Sequence, residues 1–159
     1  MYAASIALVL VLAHVAGLAQ APAPAVDVMV TDETIAALTD AEIERHAGEW
    51  FVLPTGEGGN VMELEYAGYL RQLRDRSPEP QLWMRINRSR DRRVQWRFEI
   101  NLIRFLCRSR ELRWLSTTRY LPDGSIHSSQ RYSGYDNSLE HAVPNSYGDI
   151  AMRYACPSA

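Results

Sequence analysis

Between Val61 and Arg131 apolar and polar residues alternate with a period of two, in short segments divided by turn residues. That period puts successive side chains on opposite faces of a strand, and a helix cannot use it. Val61–Tyr66 sets Met62, Leu64 and Tyr66 against Val61, Glu63 and Glu65. After the Ser77-Pro78-Glu79-Pro80 break, Gln81–Asn87 sets Leu82, Met84 and Ile86 against Trp83, Arg85 and Asn87. Arg88–Arg93 reads as a polar hairpin tip. Val94–Leu106 follows, with Val94, Trp96, Phe98, Ile100 and Leu102 on one face and Arg97, Glu99 and Asn101 on the other. At Ile103 and Phe105 the apolar residues change face, and a bulge near Leu102-Ile103 would re-aim them. Arg110–Leu121 is the next strand, and Pro122-Asp123-Gly124 turns it into Ser125–Arg131. With Glu49–Leu53, which ends at the turn-rich stretch Pro54–Asn60, this makes about six strands at hairpin spacing, hence an antiparallel sheet.

The period changes at both ends. Thr39-Asp40-Ala41-Glu42 has the form of a capping box, with Gly48 as the stop, so a short helix is expected over Asp40–Ala47. Residues 25–38 pattern weakly and read as an extended arm or loop. Near the C-terminus Ser146 and Asp149 resemble a capping pair for a helix over Tyr147–Cys156, with Ile150, Ala151 and Tyr154 as its apolar stripe. The expected fold class is α+β: an antiparallel sheet with a C-terminal helix and a short N-terminal one.

Ile6–Leu18 is an apolar run of 13 residues, followed by Ala19–Ala25 with two A-x-A sites. It is too short to span a bilayer and suits a secretory signal, with cleavage after Ala25 preferred over Ala21. Residues 1–25 are therefore expected to leave a soluble periplasmic or secreted chain of about 134 residues, enough for one core. No Cys in or near the leader offers a lipid-anchor site, and no later apolar run is long enough for a transmembrane helix. Only two cysteines occur, too few for a disulfide-dense scaffold. In an oxidising compartment their connectivity has one answer, Cys107–Cys156, which would pin the last helix to the sheet.

A net charge of -2 gives no reason to expect nucleic acid or membrane. The total hides a division: Val26–Tyr66 carries ten acids and one Arg, whereas Ala67–Arg119 carries fourteen Arg and five acids. All 17 basic residues are Arg, whose planar guanidinium pairs bidentately with carboxylate or phosphate.

Six motifs occur in order: Glu49-Trp50, Phe105-Leu106-Cys107, Arg119-Tyr120, Asp123-Gly124, Val143-Pro144-Asn145-Ser146 and Tyr154-Ala155-Cys156. In that order and spacing, from Trp50 to Cys156, the chain resembles the surface-adhesin protein E-like domains of Gram-negative bacteria. The resemblance implies a six-stranded sheet whose concave face carries the disulfide-tied helix. It also implies an envelope or secreted protein that binds host or envelope partners. The domain would occupy residues 49–159, behind an acidic extension at 26–48 that the resemblance does not cover.

Candidate binding residues are Arg88, Arg90, Arg92 and Arg93 at the expected tip and Arg97 on the strand beyond it, with Trp83 and Trp114 interleaved among Arg on their strands. Together they would form a basic aromatic sheet face for a protein or polyanionic ligand. The same arginines would also serve as a solvated, aggregation-resistant tip, or pair with the acidic segment within one chain or across a homodimer. No catalytic, cofactor or metal constellation stands out: His46, His127 and His141 lack ligand spacing, and Glu63 and Glu65 read as surface decoration. The expectation is a non-enzymatic binding domain. The alternatives are a periplasmic accessory domain without a host ligand, and a small hydrolase or ligand carrier with a pocket between sheet and helix.

Overall fold

The computed structural model describes residues 32–54, 61–133 and 139–157. The leader, both cleavage sites and most of the expected turn at 55–60 lie outside these residues. Among the described residues seven antiparallel strands form one open sheet: β1 (Trp50–Leu53), β2 (Val61–Glu65), β3 (Gln81–Asn87), β4 (Phe98–Leu106), β5 (Glu111–Tyr120), β6 (Ile126–Arg131) and β7 (Glu140–His141). The order is β1-β2-β3-β4-β5-β6, and the short β7 pairs with the start of β5. The helices are α1 (Asp32–Ala36), α2 (Asp40–Glu44), α3 (Tyr66–Asp75) and α4 (Tyr147–Ala155). Among the described residues no helix is long and apolar enough to cross a membrane.

Alternation builds the core. Met62, Leu64, Leu82, Met84 and Ile86 are buried on one sheet face while their chain neighbours are not. Register extends that face across the sheet, because Leu82 pairs with Ile103 and Phe105 with Leu112. α4 lies over it, adding Ile150, Ala151, Met152 and Ala155 to the same cluster.

The bulge falls at the expected register but on the other strand. Leu102 pairs with Ser116 and Ile103 with Trp114, so Leu115 is the extra residue, in β5. β4 therefore alternates without interruption, and Glu99 and Asn101 share the core face with Ile103 and Phe105. The apparent change of face is a change from polar to apolar residues along one face. β4 also starts at Phe98 rather than Val94, so the expected tip is a ten-residue loop, 88–97, closed by Arg88 N donating to Arg97 O at 2.6 Å.

Three further expectations change. α1 occupies part of the presumed extended arm. α2 ends at Glu44, although its Thr39–Glu42 capping box forms and Gly48 takes a positive φ of 79°. α3 fills a stretch to which alternation assigned nothing, and Glu65 caps it by accepting from Gly68 N at 3.2 Å. Ile43 of α2 packs on Ala67 and Leu70 of α3, while Arg74 bonds Asp40 at 2.8 Å and Arg71 bonds Glu44 at 3.1 Å. The acidic segment thus pairs with arginines of its own chain, on α3 instead of the 88–97 loop.

α4 is fixed at both ends. At its C-terminus the disulfide joins Cys107, just past β4, to Cys156, the C-cap. Gln72 Nε2 donates to Ala155 O at 2.8 Å, meeting one of the carbonyls a helix end leaves open. At its N-terminus Ser146 Oγ accepts from Asp149 N at 3.2 Å. The Asp149 carboxylate accepts from Asn145 N at 3.0 Å, Arg110 at 2.9 Å and Arg153 at 2.6 Å.

The bridge closes a loop with a sequence separation of 49, worth about 4 kcal/mol on the chain-entropy model. Cys107→Ser with Cys156→Ser is expected to lower unfolding free energy by about that amount. Urea titration checks it, and an unchanged midpoint would reject the bridge as a stabilising element.

Candidate pocket between the sheet and the last helix

Apolar packing of α4 ends where β4 turns polar. Beyond Ile103 the buried positions of that strand are Asn101 and Glu99, and beyond Trp114 the core face of β5 continues with Thr117 and Arg119. Above them lies a cavity of about 480 Å³, walled by Leu112, Trp114 and Tyr132 on one side and by Ser146, Tyr147 and Gly148 at the start of α4 on the other. Its size falls in the range of small-molecule sites.

The floor is polar and deeply buried. Glu99 is 7% exposed and Asn101 1% exposed. Arg88 Nη2 donates to Glu99 Oε1 at 2.9 Å, and Arg119 Nε stands 3.5 Å from Glu99 Oε2 without hydrogen-bond geometry. Pairing is required here, because a lone carboxylate out of water costs several kcal/mol. Two guanidiniums against one carboxylate leave the floor with one net positive charge. Arg88 also lies over the Tyr147 ring at 5.4 Å and Arg119 over Trp96 at 4.7 Å, so both are held in place.

Thr117 Oγ1 donates to Asn101 Oδ1 at 2.7 Å. Asn101 Nδ2, Arg88 Nε and Arg119 Nε make no hydrogen bond, although all three are buried and their residues line this cavity. A buried donor without an acceptor costs about 1–3 kcal/mol. The three residues gather around one cavity, but each of these donor atoms is itself shielded from it, and Arg119 Nε faces Glu99 Oε2. Trp96 Nε1 and Arg113 Nε are also unpartnered but do not line it.

The residues singled out by sequence separate into three places. Arg88 and Trp114 line the pocket, and Trp114 Nε1 donates to Glu140 Oε2 at 3.0 Å. Arg90, Arg92, Arg93 and Arg97 are exposed. Arg93 chelates Asp91 at 2.9 and 3.0 Å, and those bonds, with a further one from its backbone, hold the Asp91 carboxyl at about 2. Trp83 pairs with Leu102, on the face opposite Trp114, and is 40% exposed. It edges a shallow cavity of about 280 Å³ with Trp50, Ile100 and Tyr120. One continuous basic aromatic face does not form, because a one-residue difference in strand parity puts the two tryptophans on opposite sides.

Two sequence readings are corrected. Glu63 takes two bonds from Arg85, at 2.6 and 2.9 Å, and Glu65 caps α3, so neither is mere decoration. His127 is exposed as expected but stacks on Trp96 at 5.8 Å. Sequence reasoning missed Glu99, Asn101, Thr117 and Arg119. Their signal was present: polar residues two apart, in phase with the apolar residues of the same strands.

The wall at α4 depends on Asp149. Hydrogen bonds from Asn145 N and Arg153, with the nearby Arg110 charge, hold its carboxyl below the usual range. A depressed folded-state pKa gives stability that is present above about pH 4 and lost as pH falls through the folded value. Asp149→Asn is therefore expected to be less stable at pH 7 yet to show a flatter acid limb below pH 4. Melting temperature against pH measures this; parallel acid limbs would contradict it.

The pocket's own chemistry carries the functional reading, since the chain matches no protein-family model, no curated protein and no solved structure.

Proposed function

We propose that the protein is an exported binding domain of the protein E-like kind, without chemistry of its own, whose ligand seats between the sheet and the start of α4. The observation that carries this reading is the buried Asn101–Thr117 pair beneath the cavity, whose Asn101 amide donor is left unmet. A buried pair with an unmet donor costs stability, and such a cost next to a cavity is the mark of a site kept for binding. The disulfide supports the exported setting, because such bonds persist in oxidising compartments.

The discriminating experiment uses stability alone. Asn101→Leu with Thr117→Val removes both buried partners together, which relieves the unmet donor without stranding a hydroxyl. The double variant is expected to be more stable than the parent by about 1 kcal/mol in urea. A loss of similar size would assign the pair to folding and reject the pocket as the binding site.

A second reading is favoured by the exposure of Arg90, Arg92 and Arg93, the last with 88% of its side chain in solvent. Here the 88–97 loop would hold a polyanion through charge, with strong salt dependence. Changing these three residues to Ala is expected to bring elution from heparin to lower salt. An unchanged elution salt would remove this reading and leave the pocket untouched.

A further inference from the structure

On the sheet face turned away from α4, aromatic rings gather around the Glu65 carboxylate, and we infer that they form a site for a quaternary ammonium group. It lies across the sheet from the pocket under α4 and stands without it. Register builds it. Trp50 pairs with Glu65. Leu64 pairs with Met84, so the next position sets Glu65 beside Trp83. Trp50, Glu65 and Trp83 therefore stand in one row across β1, β2 and β3, on one face. Ile100 and Thr118, paired on β4 and β5, carry the floor towards Tyr120. These residues line one shallow cavity of about 280 Å³.

The spacing suits a cation. Neighbouring strands lie about 4.8 Å apart, so the two tryptophans are about 10 Å apart with Glu65 between them. Side chains stand roughly perpendicular to a sheet. A cation midway between them, above Glu65, would be about 5 Å from each indole, inside the roughly 6 Å over which a ring face attracts one. Of the four tryptophans, Trp83 alone has no ring stack, cation or hydrogen bond among the described residues, and it is 40% exposed. Trp50 carries the Arg85 guanidinium at 4.7 Å, but Glu63 takes two bonds from that arginine, and neither residue lines the cavity. Phe98 stacks on Tyr120 at 4.8 Å and steadies that ring.

Charge and hydrogen bonding select the ligand. Glu65 is the only charged residue lining the cavity among the described residues, so an anion meets repulsion and finds no cation there. The Glu65 carboxylate already accepts from Gly48 N at 3.4 Å and Gly68 N at 3.2 Å, and Thr118 Oγ1 is shared with Ser129 Oγ at 3.0 Å. The site therefore offers negative charge and ring faces more than open acceptors. A primary ammonium brings three donors that need acceptors, whereas a quaternary ammonium brings none. Ring faces with a nearby negative charge are what the latter requires. A free choline-like solute and the phosphocholine head group of a lipid share this chemistry.

The test follows the indole Nε1–H resonances of the 15N-labelled, disulfide-bonded protein. The probes are choline, its uncharged isostere 3,3-dimethylbutan-1-ol, and ethanolamine, with sedimentation on vesicles of phosphatidylcholine or of phosphatidylglycerol. Choline is expected to shift the Trp50 and Trp83 resonances saturably and leave Trp114 unmoved. The isostere and ethanolamine are expected to bind about tenfold more weakly. Trp83→Leu, at an exposed position, is expected to weaken choline about tenfold or more with little change in melting temperature. Glu65→Gln keeps an acceptor for the α3 cap and is expected to weaken choline about tenfold without affecting the isostere. Sedimentation with phosphatidylcholine alone assigns the lipid head group as the source, and choline shifts without it assign a free solute. Equal binding of choline and its isostere overturns the cation, and preference for ethanolamine overturns the quaternary class. Choline shifts confined to Trp96 or Trp114 overturn the location. No saturable shift with choline, together with no sedimentation on phosphatidylcholine, overturns the site. None of these results bears on the pocket, which the stability of Asn101→Leu with Thr117→Val decides.

Discussion

Cys107 and Cys156 hold α4 on the sheet, and most of the molecule's organisation depends on where that puts the helix. With its C-terminal end tied beside the end of β4, α4 has to run over the apolar half of the core face of the sheet. There Ile150, Met152 and Ala155 meet Ile103, Phe105 and Leu112, and their burial supplies the main hydrophobic contact between the two layers. Its N-terminal end then comes to rest over the polar half, where Asp149 fastens it through Arg110 and Arg153. The pocket is the space left where a helix fitted to an apolar surface continues past it.

The sheet was legible because strand parity is a local property. Met62, Leu64, Leu82, Met84 and Ile86 declare their face through their neighbours, and hairpin spacing gives the pairing. Ser146 and Asp149 marked α4 because a cap needs particular atoms three residues apart. The two cysteines gave one connectivity. None of these inferences requires knowing what lies across the core.

The site was harder to see for a physical reason. Glu99 and Asn101 look like solvent residues, since burial of polar groups is rare, and their phase with Ile103 and Phe105 imitates a bulge in β4. Whether such residues are buried depends on a partner far along the chain: Arg119 for Glu99, Thr117 for Asn101. Trp83 and Trp114 failed in the opposite way. Each stands among arginines, yet only the β4–β5 register decides which side of the sheet each one faces. α3 was missed because its cap, Glu65, also completes the alternation of β2.

Leu115 has a consequence for how such a chain can change over time. Upstream of it, Leu112 and Trp114 face α4 at even positions; downstream, Thr117 and Arg119 face it at odd ones. The extra residue works as a parity switch in the middle of a strand. Loss of the Leu115 codon would set Ser116 directly after Trp114, opposite Leu102, and keep Thr117 and Arg119 facing α4; drawing Leu115 into regular pairing opposite Leu102 would instead turn Thr117 and Arg119 outward while the core side chains of β1 to β4 stay in place. The facing of the β5 half of the pocket floor is therefore set by how one backbone position pairs, whereas the apolar half of the core is not, so the bulge can shape the cavity without rebuilding the fold beneath it.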